Sequence, residues 1–176
     1  CPGQGAQSVG MGRGWFDAST EAAQTFGAAD EMLANDLDGK LSEVCFEGPA
    51  DRLNRTDIAQ PALFVTAVAS YQALFPDATG ESLRATAGLS LGEYTALYLA
   101  GALSFEDALR LVALRGRAMQ EAAESSDGGM VALMGAETEE VESLCEDARG
   151  SGVLVPANFN APGQIVISGT SSSCDR

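Results

Sequence analysis

Apolar and polar positions divide the chain into a long helical stretch followed by a shorter, strand-bearing one. The opening "CPGQGAQSVGMGRGW" carries five glycines and predicts a loop, or a loop entering a helix. From Trp15 to about Leu37 the residues are mostly helix formers, as in "FDASTEAAQTFGAADEML". "LSEVCFEGPADRLNRTDIAQ" predicts a short helix and then irregular chain, broken at Gly48-Pro49. "QPALFVTAVASYQALF" is apolar nearly all round and predicts a buried helix, with Pro61 in its first turn and Pro76 as its stop. "ESLRATAG" is read as a strand, on alanine and threonine alone, and "LGEYTALYLAGAL" as a helix starting directly after Ser90.

"SFEDALRLVALRGRAMQEAAE" has the clearest helical period, with Ala108, Leu111, Val112, Arg115 and Met119 on one face. Ser104 and Asp107 fit a capping box at its start. After Gly128 the period changes. "MVALMG" predicts a strand, "ETEEVESLCEDARG" a helix, and "VLVPANFNAPGQIVISG" two short strands around a Pro-Gly turn. The expected division is therefore residues 1–127 and a smaller subdomain over 128–176. There is no internal repeat.

Composition narrows the setting. The 176 residues are 45% hydrophobic and 20% charged, enough for a real core. The formal net charge of -15 argues against nucleic acid, since no basic stripe is available to neutralise phosphates. Cys1, Cys45, Cys145 and Cys174 have neither metal-ligand nor CxxC spacing and are expected as free thiols in a reducing compartment. No run of apolar residues is long enough to span a membrane, and no signal peptide is visible, although the chain opens at Cys1 without a methionine.

The candidate chemistry centres on "GLSLG", residues 88–92. A serine between small neighbours, at the start of a helix, has the composition of a nucleophile elbow. The N–H of Leu91 would then face a developing oxyanion. The same residues also suit a helix cap at Ser90 with Glu93 completing a box, and local sequence leaves both open. Arg115 points with the apolar stripe of its helix and needs an anion there. A buried Asp or Glu would serve, and so would a substrate carboxylate held by the planar fork. "PGQG" fits an ordinary glycine turn, and equally a turn on which Gln4 would hold its backbone N–H or its amide beside a reaction centre; the spacing leaves both open. The chain has no histidine, so nothing obvious within it activates the serine.

Five segments in order resemble the malonyl-CoA:acyl carrier protein transacylase family, which includes the acyltransferase domains of fatty acid and polyketide synthases. They are "PGQGAQSVGMG", "IAQPAL", "GLSLGEYTAL", "ALRGRAMQ" and "NFNAPGQIVISG". The resemblance implies an α/β fold: an α/β-hydrolase-like core with an inserted ferredoxin-like subdomain, both incomplete in this chain. It implies that Ser90 takes a malonyl group from coenzyme A and passes it to the phosphopantetheine thiol of acyl carrier protein, in fatty acid or polyketide synthesis. Arg115 would grip the malonyl carboxylate, Gln4 and Leu91 would form the oxyanion hole, and Asn160 would have a supporting role. No bound cofactor or metal is expected, and the protein is expected to be cytoplasmic and, if it stands alone, a monomer. Two departures stand out. Leu89 occupies a position where the family commonly has histidine, and the family's catalytic histidine lies in a segment beyond this chain. The sequence is accordingly read as an N-terminal fragment lacking its general base. The rival readings are a serine hydrolase sharing the elbow and a non-catalytic domain that docks a carrier protein.

Overall fold

A computed structural model describes residues 1–76 and 83–176. They form two compact units, Cys1–Glu121 and Ala122–Arg176. All described regular elements of the first unit are helices: α1 (Arg13–Ala18), α2 (Thr20–Met32), α3 (Leu41–Glu47), α4 (Ala50–Leu53), α5 (Thr56–Leu74), α6 (Leu91–Leu99) and α7 (Phe105–Glu124, whose last turn enters the second unit).

α5 is the centre of this unit. Its residues 58–65 are buried without interruption, as an all-round apolar helix must be. It begins at Thr56, inside the segment expected to be irregular, so Pro61 lies within the helix and not in its first turn. The proline has no N–H to return to the Asp57 carbonyl, a loss the packing around it outweighs. α2 lies against α5 with Ala22, Thr25, Phe26 and Ala29 buried at i, i+3, i+4 and i+7. The expected single helix from Trp15 is two, because Ser19 adopts extended backbone and caps α2, its hydroxyl accepting the Ala22 N–H at 3.3 Å. Phe16, Phe26 and Phe46 close one end of the core through tilted and edge-to-face contacts, with ring centroids 5.0–6.1 Å apart. Phe64 stacks on Phe105 at the other.

α7 presents a different face from the expected one. Ala108, Leu109, Val112, Ala113 and Gly116 are buried, while Leu111 and Met119 are each 42% exposed. Small residues let the helix backbone approach its neighbours, and the larger apolar side chains lie to the side. At its start the Ser104 hydroxyl accepts the Asp107 N–H at 3.0 Å and donates to the Asp107 carboxylate at 2.7 Å. The cap is real, but the reciprocal bond runs through the hydroxyl instead of the Ser104 N–H. The strand expected at residues 81–88 is also absent where it can be checked. Glu81 and Ser82 lie outside the described residues, and residues 83–88 form no strand. The Cys1 nitrogen donates to the Ala87 carbonyl at 2.7 Å, a single bond where a strand needs a ladder.

The second unit holds β1 (Gly128–Met134), α8 (Thr138–Ala148), β2 (Leu154–Ala161), β3 (Gln164–Thr170) and α9 (Ser171–Cys174). Its sheet is antiparallel in the order β1-β3-β2. β3 is central, and its Ile165 and Ile167 pack with Leu154 against Val141 and Cys145 of α8. Glu140 accepts the Glu137 N–H at 3.0 Å and so fixes the start of α8. Here the sequence pattern and the elements agree. The chain is thus a mixed α/β protein: helices and one small three-stranded antiparallel sheet.

All four cysteines are free thiols. Burial, and then the negative charge of Asp30, push the Cys45 thiol up to about 12. At neutral pH a maleimide is expected to label exposed Cys1 and to leave Cys45 untouched until the protein is unfolded, because the raised value keeps the thiol protonated. Peptide mapping after labelling checks this, and native Cys45 reacting as fast as Cys1 would contradict it. No helix among the described residues is long and apolar enough to cross a membrane, and no group of three acidic, histidine or cysteine residues is arranged to hold a metal.

Candidate active site

Ser90 is the only described non-glycine residue with positive φ, at φ 54 and ψ −107. Such backbone costs on the order of 1–3 kcal/mol and persists only when its surroundings enforce it. The flanking glycines make the close backbone approach around it possible. A Cβ on Gly88 would lie 2.0 Å from the Gly92 carbonyl carbon and 2.6 Å from the Glu93 nitrogen. A Cβ on Gly92 would lie 2.5 Å from the Cys1 carbonyl oxygen. The chain therefore folds back on itself around the serine, with the N-terminal segment crossing over it. This geometry removes the capping alternative: the Ser90 side chain makes no cap hydrogen bond to α6.

The hydroxyl is engaged elsewhere. Arg115 Nη2 donates to Ser90 Oγ at 2.7 Å, across 25 residues of sequence. The same guanidinium donates through Nη1 to Gln60 Oε1 at 2.6 Å and lies 5.9 Å from the centroid of the Tyr94 ring. Gln60 is fully buried on α5, and its Nε2 donates to Met119 Sδ at 3.3 Å. Among the described residues Arg115 has no carboxylate partner, so the expected bland alternative, a buried Asp or Glu, is not what holds it. The fork is fixed at one nitrogen by a neutral amide and donates through the other to the serine hydroxyl.

Gln60 is the residue sequence reasoning passed over. It stood in plain view as one amide in the apolar run "IAQPALF". A fully buried amide needs a partner, and that requirement was the available signal.

Gln4 and Leu91 bring two N–H groups to the same neighbourhood. Leu91 opens α6, so its N–H has no partner within the helix, and it lies at the positive end of the helix dipole. Gln4 sits on the glycine turn that crosses the elbow, where a Cβ on Gly3 would come within 3.3 Å of the Leu89 carbonyl oxygen. Among the described residues neither the Gln4 nor the Leu91 N–H donates to a protein acceptor. Near the serine hydroxyl and its guanidinium partner the chain thus carries two backbone N–H groups without a protein acceptor among the described residues. Leu89 is 58% exposed beside the serine. Asn160 stands on β2 of the second unit, where it lines a hollow of about 440 Å³ with Phe159, Pro162 and Glu137.

A strained serine between two glycines at the start of a helix has the geometry of a nucleophile elbow. The chain belongs to the acyl transferase domain family, whose model matches residues 1–176. Among curated proteins it is similar to the malonyl CoA-acyl carrier protein transacylase of Bacillus subtilis, with 43% identity over 175 residues, 99% of this chain and 53% of that protein. The transacylase of Escherichia coli strain K12 is 41% identical, over 99% of this chain and 55% of that one. Of solved structures, the acyl-carrier-protein-S-malonyltransferase from Bartonella henselae superposes with a TM-score of 0.87 at 40% identity, covering 99% of this chain and 55% of that one. A malonyl-transacylase in complex with a type II PKS acyl-carrier protein gives 0.85 at 37% identity, with the same coverage. The chain spans about half the length of the curated relatives it matches.

Proposed function

We propose that the protein is an [acyl-carrier-protein] S-malonyltransferase, moving a malonyl group from coenzyme A to the phosphopantetheine thiol of acyl carrier protein through an acyl-serine intermediate. The observation that carries this reading is the 2.7 Å bond from Arg115 to Ser90 Oγ, made by a guanidinium that has no carboxylate partner among the described residues. An enzyme for neutral esters has no need of a cation at its nucleophile, which sets the hydrolase reading aside.

The steps follow from the geometry. Malonyl-CoA displaces Arg115 Nη2 from Ser90 and binds its free carboxylate to the guanidinium, while Gln60 keeps the other nitrogen in place. Ser90 Oγ loses its proton and attacks the thioester carbonyl. The resulting oxyanion takes the N–H groups of Leu91 and Gln4, and collapse expels the coenzyme A thiol. The carrier-protein thiol then attacks the serine ester and regenerates Ser90. These 176 residues contain no histidine, and among the described residues no carboxylate hydrogen-bonds to Ser90 Oγ, so this reading takes the general base from another part of the full-length protein.

In this reading residues 1–127 are the N-terminal part of an α/β-hydrolase-like catalytic core, and residues 128–176 begin a ferredoxin-like subdomain. The elbow geometry supports the first assignment. The order β1-α8-β2-β3-α9, with β3 between β1 and β2, supports the second, being five of the six elements of that fold in sequence. Asn160 then has a supporting role within the subdomain, and the protein acts in the cytoplasm.

Incubating the full-length protein with malonyl-CoA and mapping its peptides by mass tests the proposal. The expected adduct is on the peptide that contains Ser90. An adduct on Cys1 or Cys45 with Ser90 clean would overturn it, and no adduct at all would favour the carrier-docking reading.

A further inference from the structure

Two polar contacts of the first unit lie outside these steps and run in a line from α7 to the turn that carries Gln4. Gln120, five residues beyond Arg115 on α7, accepts the Thr56 N–H through Oε1 at 2.9 Å. That N–H opens α5, has no partner within the helix, and gets no help from its own N-cap, because Arg55 makes no side-chain cap. The approach is close because Gly116 is there: a Cβ on it would lie 2.9 Å from the Thr56 carbonyl oxygen. The Thr56 hydroxyl, in turn, accepts from Gln4 Nε2 at 3.2 Å. A second tether lies alongside, with Gly5 N–H on Gln7 Oε1 at 2.8 Å and Gln7 Nε2 on Asn54 Oδ1 at 3.1 Å.

Gln4 is exposed and flanked by two glycines. A turn of that composition has no stiffness of its own, yet an oxyanion donor is useful only when it is held in place before the charge develops. We propose that Thr56 is a positioning residue for acyl transfer: its backbone N–H is held to α7 by Gln120, and its hydroxyl fixes the Gln4 side chain and so aims the Gln4 N–H at the reacting carbonyl. The helix that carries the carboxylate-binding Arg115 thereby also sets the oxyanion turn. This inference rests on the reading of Gln4 as an oxyanion donor.

Thr56→Val in the full-length protein removes the hydroxyl and keeps the branched shape and the N–H that bonds Gln120. Loss of a whole oxyanion donor costs about 100- to 1,000-fold in kcat. Loosening one should cost a fraction of that, and kcat is expected to fall about 5- to 30-fold, with KM for malonyl-CoA and the melting temperature nearly unchanged. Thr56→Ser restores the hydroxyl and is expected to restore kcat. Gln4→Ala should match Thr56→Val, and the double variant should be no slower than either, because both cut the same bond. A wild-type kcat in Thr56→Val, an equal loss in Thr56→Ser, or multiplying losses in the double variant would each overturn the proposal. Should Thr56→Val fail to fold, Gln4→Ala leaves α5 untouched, and a wild-type kcat there overturns it as well. Ser90 acylation is followed by mass in every variant. Wild-type protein that forms no malonyl-Ser90 would mean that the underlying reading had failed, whereas acylation at the wild-type rate in both variants would sink the positioning role alone.

Discussion

Replacing Arg115 by alanine in the full-length protein is expected to lower kcat/KM for malonyl-CoA by roughly 30- to several-thousand-fold and to leave acetyl-CoA unharmed or improved. The range corresponds to about 2–5 kcal/mol for a desolvated, charge-assisted bidentate contact. Acetyl-CoA has no free carboxylate to lose. Some destabilisation should accompany the kinetic effect, because Gln60 is fully buried and its Oε1 loses the 2.6 Å bond from Arg115. An orphaned buried acceptor costs about 1–3 kcal/mol, a shift of a few degrees in melting temperature. Stability alone therefore does not separate the clamp from a structural role, but the ratio of the two substrates does. Equal losses on malonyl- and acetyl-CoA would rule out the clamp. Arg115→Lys should fall between, since an ammonium supplies charge but cannot span Gln60 and the serine with a planar fork.

Gly88→Ala is expected to damage both fold and activity. The added methyl would meet the Gly92 carbonyl carbon at 2.0 Å, its oxygen at 2.1 Å and the Glu93 nitrogen at 2.6 Å. These are backbone atoms of the first turn of α6, with no rotamer to yield. Either α6 moves or the elbow opens, at a cost on the order of 3 kcal/mol or more. A shift of about 1 Å between Ser90 and the groups around it costs transfer roughly 100-fold. Gly14→Ala is the control: nothing lies within 4 Å of its added Cβ and it sits in α1, so the melting temperature should hold or rise slightly. Thermal melting and transfer rates on the two variants decide the matter. A Gly88→Ala protein that melts and transfers like wild type would show that the steric account of the elbow is wrong.

The second unit was legible because its signals are local. Strict changes of period, a Pro-Gly turn and an acidic helix start mark β1, α8, β2 and β3 without reference to anything distant. The first unit was legible only in outline. Ser19 divides one expected helix by capping from within it, and Thr56 starts α5 earlier than the composition of "NRTDIAQ" suggested. On α7 the period was right and the face was shifted: Ala108 and Val112 are buried as expected, but Leu109, Ala113 and Gly116 complete the buried face in place of Leu111 and Met119. Large apolar residues dominate a count of periodicity, but Ala108, Ala113 and Gly116 are the residues small enough to let the helix close on its neighbours.

The same division holds at the site. Sequence by itself determined that a serine sits between two glycines at a helix start, that an arginine shares its helix with an apolar stripe, and that the chain carries no histidine. Those are facts of composition and spacing, and they limited the chemistry before any coordinates. It did not determine whether Ser90 caps α6 or what Arg115 binds. Tertiary structure decided both, bringing Arg115 to a serine 25 residues away and to an amide 55 residues away. Contacts over such separations follow from how α5, α6 and α7 pack, and packing depends on the sizes of residues that face each other, which no single segment encodes.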